Sequence, residues 1–211
     1  MKVVGIGYRH WSIEIYNRLK KKNIDIKIIR NKKINYKIIN SLNPDYILFY
    51  GWSWKVPTKI VNKYKCIMLH PSKLPNFAGG SPIQNQIIRN IKNSAITLFR
   101  MSEKIDQGNI VIQSKMSLSG TLDNIFERII KKGTFCTLKM FKNYKEKKSK
   151  VKKTYKRLKP SSSEITLEEI KTKNGLYLFN KIRMLQDPYP NPFIRTADNK
   201  RLIIKEVILK K

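Results

Sequence analysis

Cysteine is scarce in this sequence. Cys66 and Cys136 are the only two, and their separation gives neither a metal-binding spacing nor a disulfide framework. One sits in a strand-like run and the other in an apolar helical run, so both read as small core residues of a reducing compartment. Long apolar runs are missing as well: no stretch reaches the roughly 18 consecutive residues that a membrane span requires. The opening MKVVGIGYRH goes straight into a strand pattern, and the expectation is a cytoplasmic chain without a cleaved leader. Gly5-Ile6-Gly7 is not a full GxGxxG, so a dinucleotide site has no support. Histidine occurs only at positions 10 and 70.

Acidic side chains are also few, 14 against 45 Lys and Arg, for a formal charge of +31. That excess invites a polyanion partner. Yet 35 of the 45 are lysine, spread over nearly every segment with abundant isoleucine and asparagine, as codon bias toward A and T would produce. Nucleic acid is therefore disfavoured as a partner, while a phosphorylated substrate would still be drawn in. With 211 residues, 41% of them apolar, the chain can bury a sizeable core and add a small appendage.

Val3–Gly7 reads as a strand ending in a tight turn, with Ser12 as N-cap of a helix over Ile13–Lys22. Ile24–Ile29 alternates as a second strand, residues 34–41 form a short helix, and Asp45–Tyr50 is a third strand before Gly51-Trp52-Ser53-Trp54. Strands separated by helical stretches argue βαβ units in an α/β fold with a mostly parallel sheet. Right-handed crossovers then put Tyr8-Arg9-His10, Gly51–Trp54 and His70 on one rim. His10 matches no motif and reads as solvent-facing or structural. Pro82 opens a helix to Asn90. Thr121–Tyr144 is a long amphipathic helix with a stripe of Leu122, Ile125, Ile129, Phe135, Leu138 and Phe141. Lys145–Lys153 reads as a solvated basic link. In the tail, Leu167–Leu185 is helical with a break at Asn174-Gly175, Pro188–Pro192 stops it, and Phe193–Thr196 and Arg201–Leu209 alternate as strands around Asp198-Asn199.

The chemistry concentrates in residues 66–108. Cys66–Leu69 is a short apolar strand that delivers His70 into Pro71-Ser72-Lys73-Leu74-Pro75, at a strand end where open α/β sheets hold ligands. Asp106, in Ile105-Asp106-Gln107-Gly108, sits in a turn between strand-like runs Ala95–Met101 and Ile110–Ile112. An imidazole and a carboxylate are the minimum needed to move a proton. Gly79-Gly80 allows a sharp turn and a close approach to a ligand.

Taken together, His70-Pro71-Ser72-x-Leu74-Pro75, Gly79-Gly80-x-Pro82, Thr97 and Asp106-x-Gly108-x-Ile110 resemble the folate-dependent formyltransferases, whose match covers the first 145 residues well. The resemblance implies a Rossmann-like catalytic domain over 1–145, a linker over 146–160 and a small C-terminal α+β subdomain over 161–211. It implies N10-formyltetrahydrofolate as co-substrate, no metal, and His70 and Asp106 as catalytic residues. His70 would take the amine's proton and return it to the leaving nitrogen, with Asp106 orienting the ring. Tyr50, Trp52 and Trp54, with Ser102, Glu103, Lys104 and Ile105, would hold the pterin. Tyr8, Arg9, Ser72, Lys73, Gly79 and Gly80 would face the second substrate. One position departs from the family: Met68 stands where the family has an asparagine that donates to the forming oxyanion, and a thioether cannot donate.

Ile182-Arg183-Met184-Leu185 and Pro188-Tyr189-Pro190-Asn191-Pro192-Phe193 resemble the tail of formyltransferases that act on amino sugars. Enzymes that formylate initiator tRNA normally carry a longer basic C-terminal domain. The expected substrate is therefore a nucleotide-linked amino sugar, with a homodimer left open. A short tRNA formyltransferase and a non-catalytic, nucleic-acid-binding relative that lost the asparagine are the alternatives.

Overall fold

The computed structural model describes residues 1–30 and 34–210; Lys211, the end of the expected C-terminal part, lies outside the described residues. The chain runs β1 (Lys2–Ile6), α1 (His10–Lys20), β2 (Asp25–Ile29), α2 (Tyr36–Leu42), β3 (Tyr46–Tyr50), α3 (Thr58–Lys63), β4 (Cys66–His70), β5 (Ala78–Gly79), α4 (Pro82–Ile87), β6 (Asn93–Arg100), β7 (Ile110–Ser117) and α5 (Leu122–Lys142). The tail adds β8 (Thr154–Tyr155), α6 (Leu167–Thr172), α7 (Gly175–Arg183), β9 (Phe193–Arg195) and β10 (Arg201–Ile203). Six strands form one sheet in the order β2-β1-β3-β4-β6-β7. The first four are parallel, while β6 and β7 join antiparallel. This is an α/β, Rossmann-like fold with a mostly parallel sheet.

Alternation along the central strands divides the core in two. Val3, Leu48, Tyr50, Ile67 and Leu69 face α1 and α5. Val4, Ile6, Ile47, Phe49 and Cys66 face Ile39 of α2 and Ile60 and Val61 of α3. Burial on both faces is what a near-continuous apolar strand such as YILFY requires. Both thiols are core groups, and burial pushes Cys66 up to about 12 and Cys136 up to about 11. Neither is ionised at neutral pH.

Several local expectations are corrected. The N-cap of α1 is Arg9; Ser12 lies inside the first turn, fully buried, and its hydroxyl donates back to the Arg9 carbonyl at 2.7 Å. Phe135 is 59% exposed and does not belong to the apolar stripe of α5, whose buried face includes Cys136 and Met140 instead. Strand β7 continues to Ser117 because β6 pairs with it along its whole length, and β10 ends at Ile203. The Lys145–Lys153 stretch is not a free link, since Lys147 and Ile110 exchange two backbone hydrogen bonds of 2.8 and 2.9 Å. Among the described residues no helix is long and apolar enough to cross a membrane.

The tail packs back on the sheet layer. Met184 and Leu185 belong to the α1/α5 side of the core. Arg183 donates to the carbonyls of Leu118 and Gly120 at 2.8 Å each, and Ile165 N–H donates to Phe193 O at 2.8 Å.

Candidate active site

Strand β4 brings two side chains to one face of the sheet, because Met68 and His70 are two residues apart. Strand β6 runs antiparallel to β4, with Thr97 opposite His70 and Arg100 opposite Ile67. The β6–β7 loop therefore starts at the far end of β4 and has to turn back to reach His70. Gly108 permits this return: a Cβ there would stand 1.5 Å from the Arg100 carbonyl oxygen. Asp106 takes a left-handed backbone, φ +54°, a conformation that Asp tolerates better than most residues.

His70 and Asp106 are both buried, with side chains 6% exposed, and Asp106 Oδ2 lies 3.6 Å from His70 Nδ1. The other ring nitrogen, Nε2, is 2.9 Å from the Phe77 carbonyl. A carbonyl only accepts, so Nε2 donates, and in the neutral ring Nδ1 carries the lone pair. Asp106 Oδ2 also accepts from the Gly79 N–H at 2.7 Å. Thr97 stiffens the loop after β4: its hydroxyl donates to Ser72 O at 2.6 Å and accepts from Gln113 Nε2 at 2.9 Å.

The pair opens into a cavity of about 710 Å³. Trp52, Trp54, Met68 and Met101 line it together with Ser102, Glu103, Lys104 and Ile105. Trp52 and Trp54 meet edge to face, with ring centroids 4.9 Å apart. Trp52 is 9% exposed, and its indole Nε1 is buried without a hydrogen-bond partner among the described residues. An unpaired buried N–H costs about 1–3 kcal/mol, so this donor suits a bound acceptor.

The sequence-expected residues divide. Arg9, Gly79 and Gly80 line the same cavity. Tyr8 stands one layer behind, its ring 4.9 Å from Trp54 and its hydroxyl hydrogen-bonded to Ser53 at 2.7 Å. Tyr50, Ser72 and Lys73 do not line it. Tyr50 is fully buried and shares a hydrogen bond of 2.8 Å with the Thr137 hydroxyl of α5. Ser72 is fully buried and its hydroxyl donates to Asn76 O at 2.7 Å, while Lys73 is exposed. The strand pattern puts Tyr50 on the α1/α5 face rather than toward the cavity. His10 is the exposed first residue of α1.

The lining also includes residues that were not foreseen as part of the site, Tyr155, Arg157 and Tyr189 among them. Tyr155 and Arg157 come from the supposed linker, where a lone aromatic among lysines was the available signal. Tyr189 comes from the Pro-Tyr-Pro stretch, and the Arg9 guanidinium lies over its ring at 5.3 Å.

The family profile described as formyl transferase matches residues 3–141. A methionyl-tRNA formyltransferase of Ehrlichia ruminantium (strain Gardel) is 36% identical over 89 residues, which make up 41% of this chain and 29% of that protein. The match thus spans less than a third of that relative's length. The solved structure of a methionyl-tRNA formyltransferase from Clostridium thermocellum superposes with a TM-score of 0.86 at 29% identity, covering 99% of both chains. A 4-N formyltransferase from Francisella tularensis shares the fold at a TM-score of 0.80 and 17% identity, covering 100% of this chain and 98% of its own.

Proposed function

The chain belongs to the formyl transferase family, and from that premise we propose that it moves a formyl group from N10-formyltetrahydrofolate to the primary amine of a nucleotide-linked amino sugar. The observation that carries formyl transfer is the buried His70–Asp106 pair opening on an aromatic-walled cavity. The cavity suits the folate: its size falls in the range of about 300–1,000 Å³ common for small-molecule sites, and Trp52 offers in its wall an N–H without a partner among the described residues. Trp52, Trp54 and the Ser102–Ile105 loop would hold the pterin. The folate supplies a formyl carbon on a nitrogen that leaves with a proton, and the substrate amine gains the formyl group and gives a proton up.

The chain's own residues handle that proton. With Nε2–H committed to the Phe77 carbonyl, Nδ1 is the atom of His70 that accepts it. Asp106 Oδ2, 3.6 Å away, stabilises the resulting cation. Once the ring is cationic, Nδ1 can give the proton up again as the transfer completes. His70→Asn should abolish turnover and leave folate binding largely intact, measured by steady-state kinetics and by quenching of tryptophan fluorescence.

Tyr189 supports an amino-sugar nucleotide as acceptor. It belongs to the tail stretch that resembles the sugar-type enzymes, and it lines the cavity beside Arg9, with Arg157, Lys55 and Lys104 on the same walls. Cations interleaved with aromatic rings suit a nucleotide diphosphate. A second reading, transfer to an aminoacyl-tRNA, is favoured by the similarity to proteins named methionyl-tRNA formyltransferase. The deciding assay incubates the chain and N10-formyltetrahydrofolate with dTDP-, UDP- and GDP-linked amino sugars and with methionyl-tRNA. A mass gain of one formyl group on a sugar nucleotide is expected. A gain on the tRNA alone would install the second reading, and no gain on any acceptor would leave a non-catalytic relative.

A further inference from the structure

Resting on that reading, we propose that Tyr155 is a positioning residue for formyl transfer: by clamping the loop Phe77–Gly80 it sets the geometry between His70 and Asp106. Both members of the pair are held by backbone groups of the same three residues. The Phe77 carbonyl accepts from His70 Nε2 at 2.9 Å, and the Gly79 N–H donates to Asp106 Oδ2 at 2.7 Å. At 3.6 Å the imidazole and carboxylate are beyond direct hydrogen-bond distance, so their spacing is set by the loop between them.

That loop does not have a relaxed backbone of its own. Phe77, a bulky residue, has φ +55°, a conformation that persists only when the surroundings hold it, while Gly79 at φ +102° adopts one that glycine allows. Tyr155 supplies the hold from 75 or more residues further along the chain. Its ring stacks on Phe77 with centroids 4.9 Å apart and planes 18° off parallel. Its backbone pairs with Gly79 in the β5–β8 ladder, and its carbonyl accepts from Gly80 N–H at 2.7 Å. The fit is close, because a Cβ on Gly79 would stand 2.4 Å from the Tyr155 carbonyl oxygen. The Arg89 guanidinium lies over the Tyr155 ring at 4.9 Å. Arg89 in turn donates to Asn85 Oδ1 at 3.0 Å, and Asn85 donates to Gly80 O at 2.9 Å and Lys156 O at 3.3 Å. The Tyr155 hydroxyl makes no hydrogen bond among the described residues, so the flat ring and the backbone carry the clamp.

The consequence separates binding from turnover. Loss of the ring leaves the Trp52 and Trp54 walls in place and loosens the loop, so the imidazole and carboxylate wander by fractions of an ångström. Misplacement on the scale of 1 Å can cost about 100-fold in rate. Tyr155→Ala should therefore lower kcat by about 10- to 100-fold with KM for the folate changed less than about threefold. Tyr155→Phe should recover most of the loss, and Tyr155→Leu, which keeps apolar bulk without a flat face, should behave like the alanine variant.

A second measurement does not need turnover. The chain has two histidines, so long-range imidazole ¹⁵N–¹H spectra of the full chain resolve His70 once His10→Gln removes the other signal. In the parent, His70 should show a fixed Nε2–H tautomer. Tyr155→Ala and Tyr155→Leu should shift it toward tautomer averaging, and Tyr155→Phe should restore it. Thermal unfolding identifies any variant that fails to fold, and the remaining two then decide. An unchanged His70 spectrum in a folded Tyr155→Leu chain, or a kcat loss matched by an equal rise in KM, would overturn the clamp. A parent chain with no formyl transfer to any acceptor would remove the functional reading alone, and the His70 spectra would still decide whether Tyr155 positions the ring.

Discussion

Met68 shares a strand face with His70 and lines the same cavity, so the side chain at this position faces the space on which His70 opens. A thioether offers no proton to a developing oxyanion, and loss of one such donor costs about 10²–10³ in rate. Met68→Asn should accordingly raise kcat by up to about 10²–10³ with KM little changed, since the new hydrogen bond matters mainly in the transition state. A lower kcat in a folded Met68→Asn chain would show that the thioether is fitted to a rearranged site. The position of Met68 was readable because a histidine at a strand end defines which neighbours share its face. Asp106 was readable as a carboxylate in a turn before glycine, but its route to His70 was not: that route depends on β6 running antiparallel and on a loop that doubles back past Arg100. The pairing of Tyr155 with Phe77 and Gly79 was not readable, because a two-residue ladder between segments so far apart follows no short-range periodicity.

At the scale of elements, legibility followed length and period. The apolar strands β1, β3 and β4 and the 21-residue α5 stand close to where their patterns put them. Helix α3 has six residues and no signal beyond Pro57 before it, and it was missed. The tail helices are fixed by side-chain capping at Thr166 and Asn174 and by one buried cation. Lys181, 6% exposed, donates to both Glu169 oxygens at 2.7 and 2.6 Å and to Glu164 O at 2.6 Å. Burial alone would raise the Glu169 carboxyl, but the Lys181 ammonium and the Thr166 N–H hold it below the usual carboxylate range. A carboxyl depressed by folding contributes stability that is present above its unfolded value of about 4.3 and is lost as pH falls through the lower folded value. Glu169→Gln should cost about 1–3 kcal/mol at pH 7, toward the lower end because the carboxylate is partly solvated. Its penalty should shrink below about pH 4. Urea unfolding at pH 7 and pH 3.5 measures both; an equal penalty at the two values would detach the pair from tail stability.

For the whole molecule the dominant feature is a formal charge of +31, with Arg9, Lys55, Lys104 and Arg157 lining the cavity. A field of this sign raises the encounter rate of any anion and is screened by salt over a Debye length of about 8–10 Å at physiological strength. It acts on encounter and not on the buried chemistry, so kcat should hold constant while kcat/KM falls as salt rises. The steepness of that fall separates the two acceptor classes. A nucleotide diphosphate presents two phosphates, for which counterion arithmetic allows about a tenfold loss or less between 50 and 200 mM salt. A tRNA held through six or more phosphates would lose about 10³-fold or more over the same interval. Steady-state kinetics with the preferred acceptor at four salt concentrations reads the slope directly. A shallow slope confined to kcat/KM is the expected outcome. A steep slope would assign the basic surface to a polynucleotide, and a flat one would mean that the lysines, 35 of the 45 basic residues, contribute nothing to substrate capture.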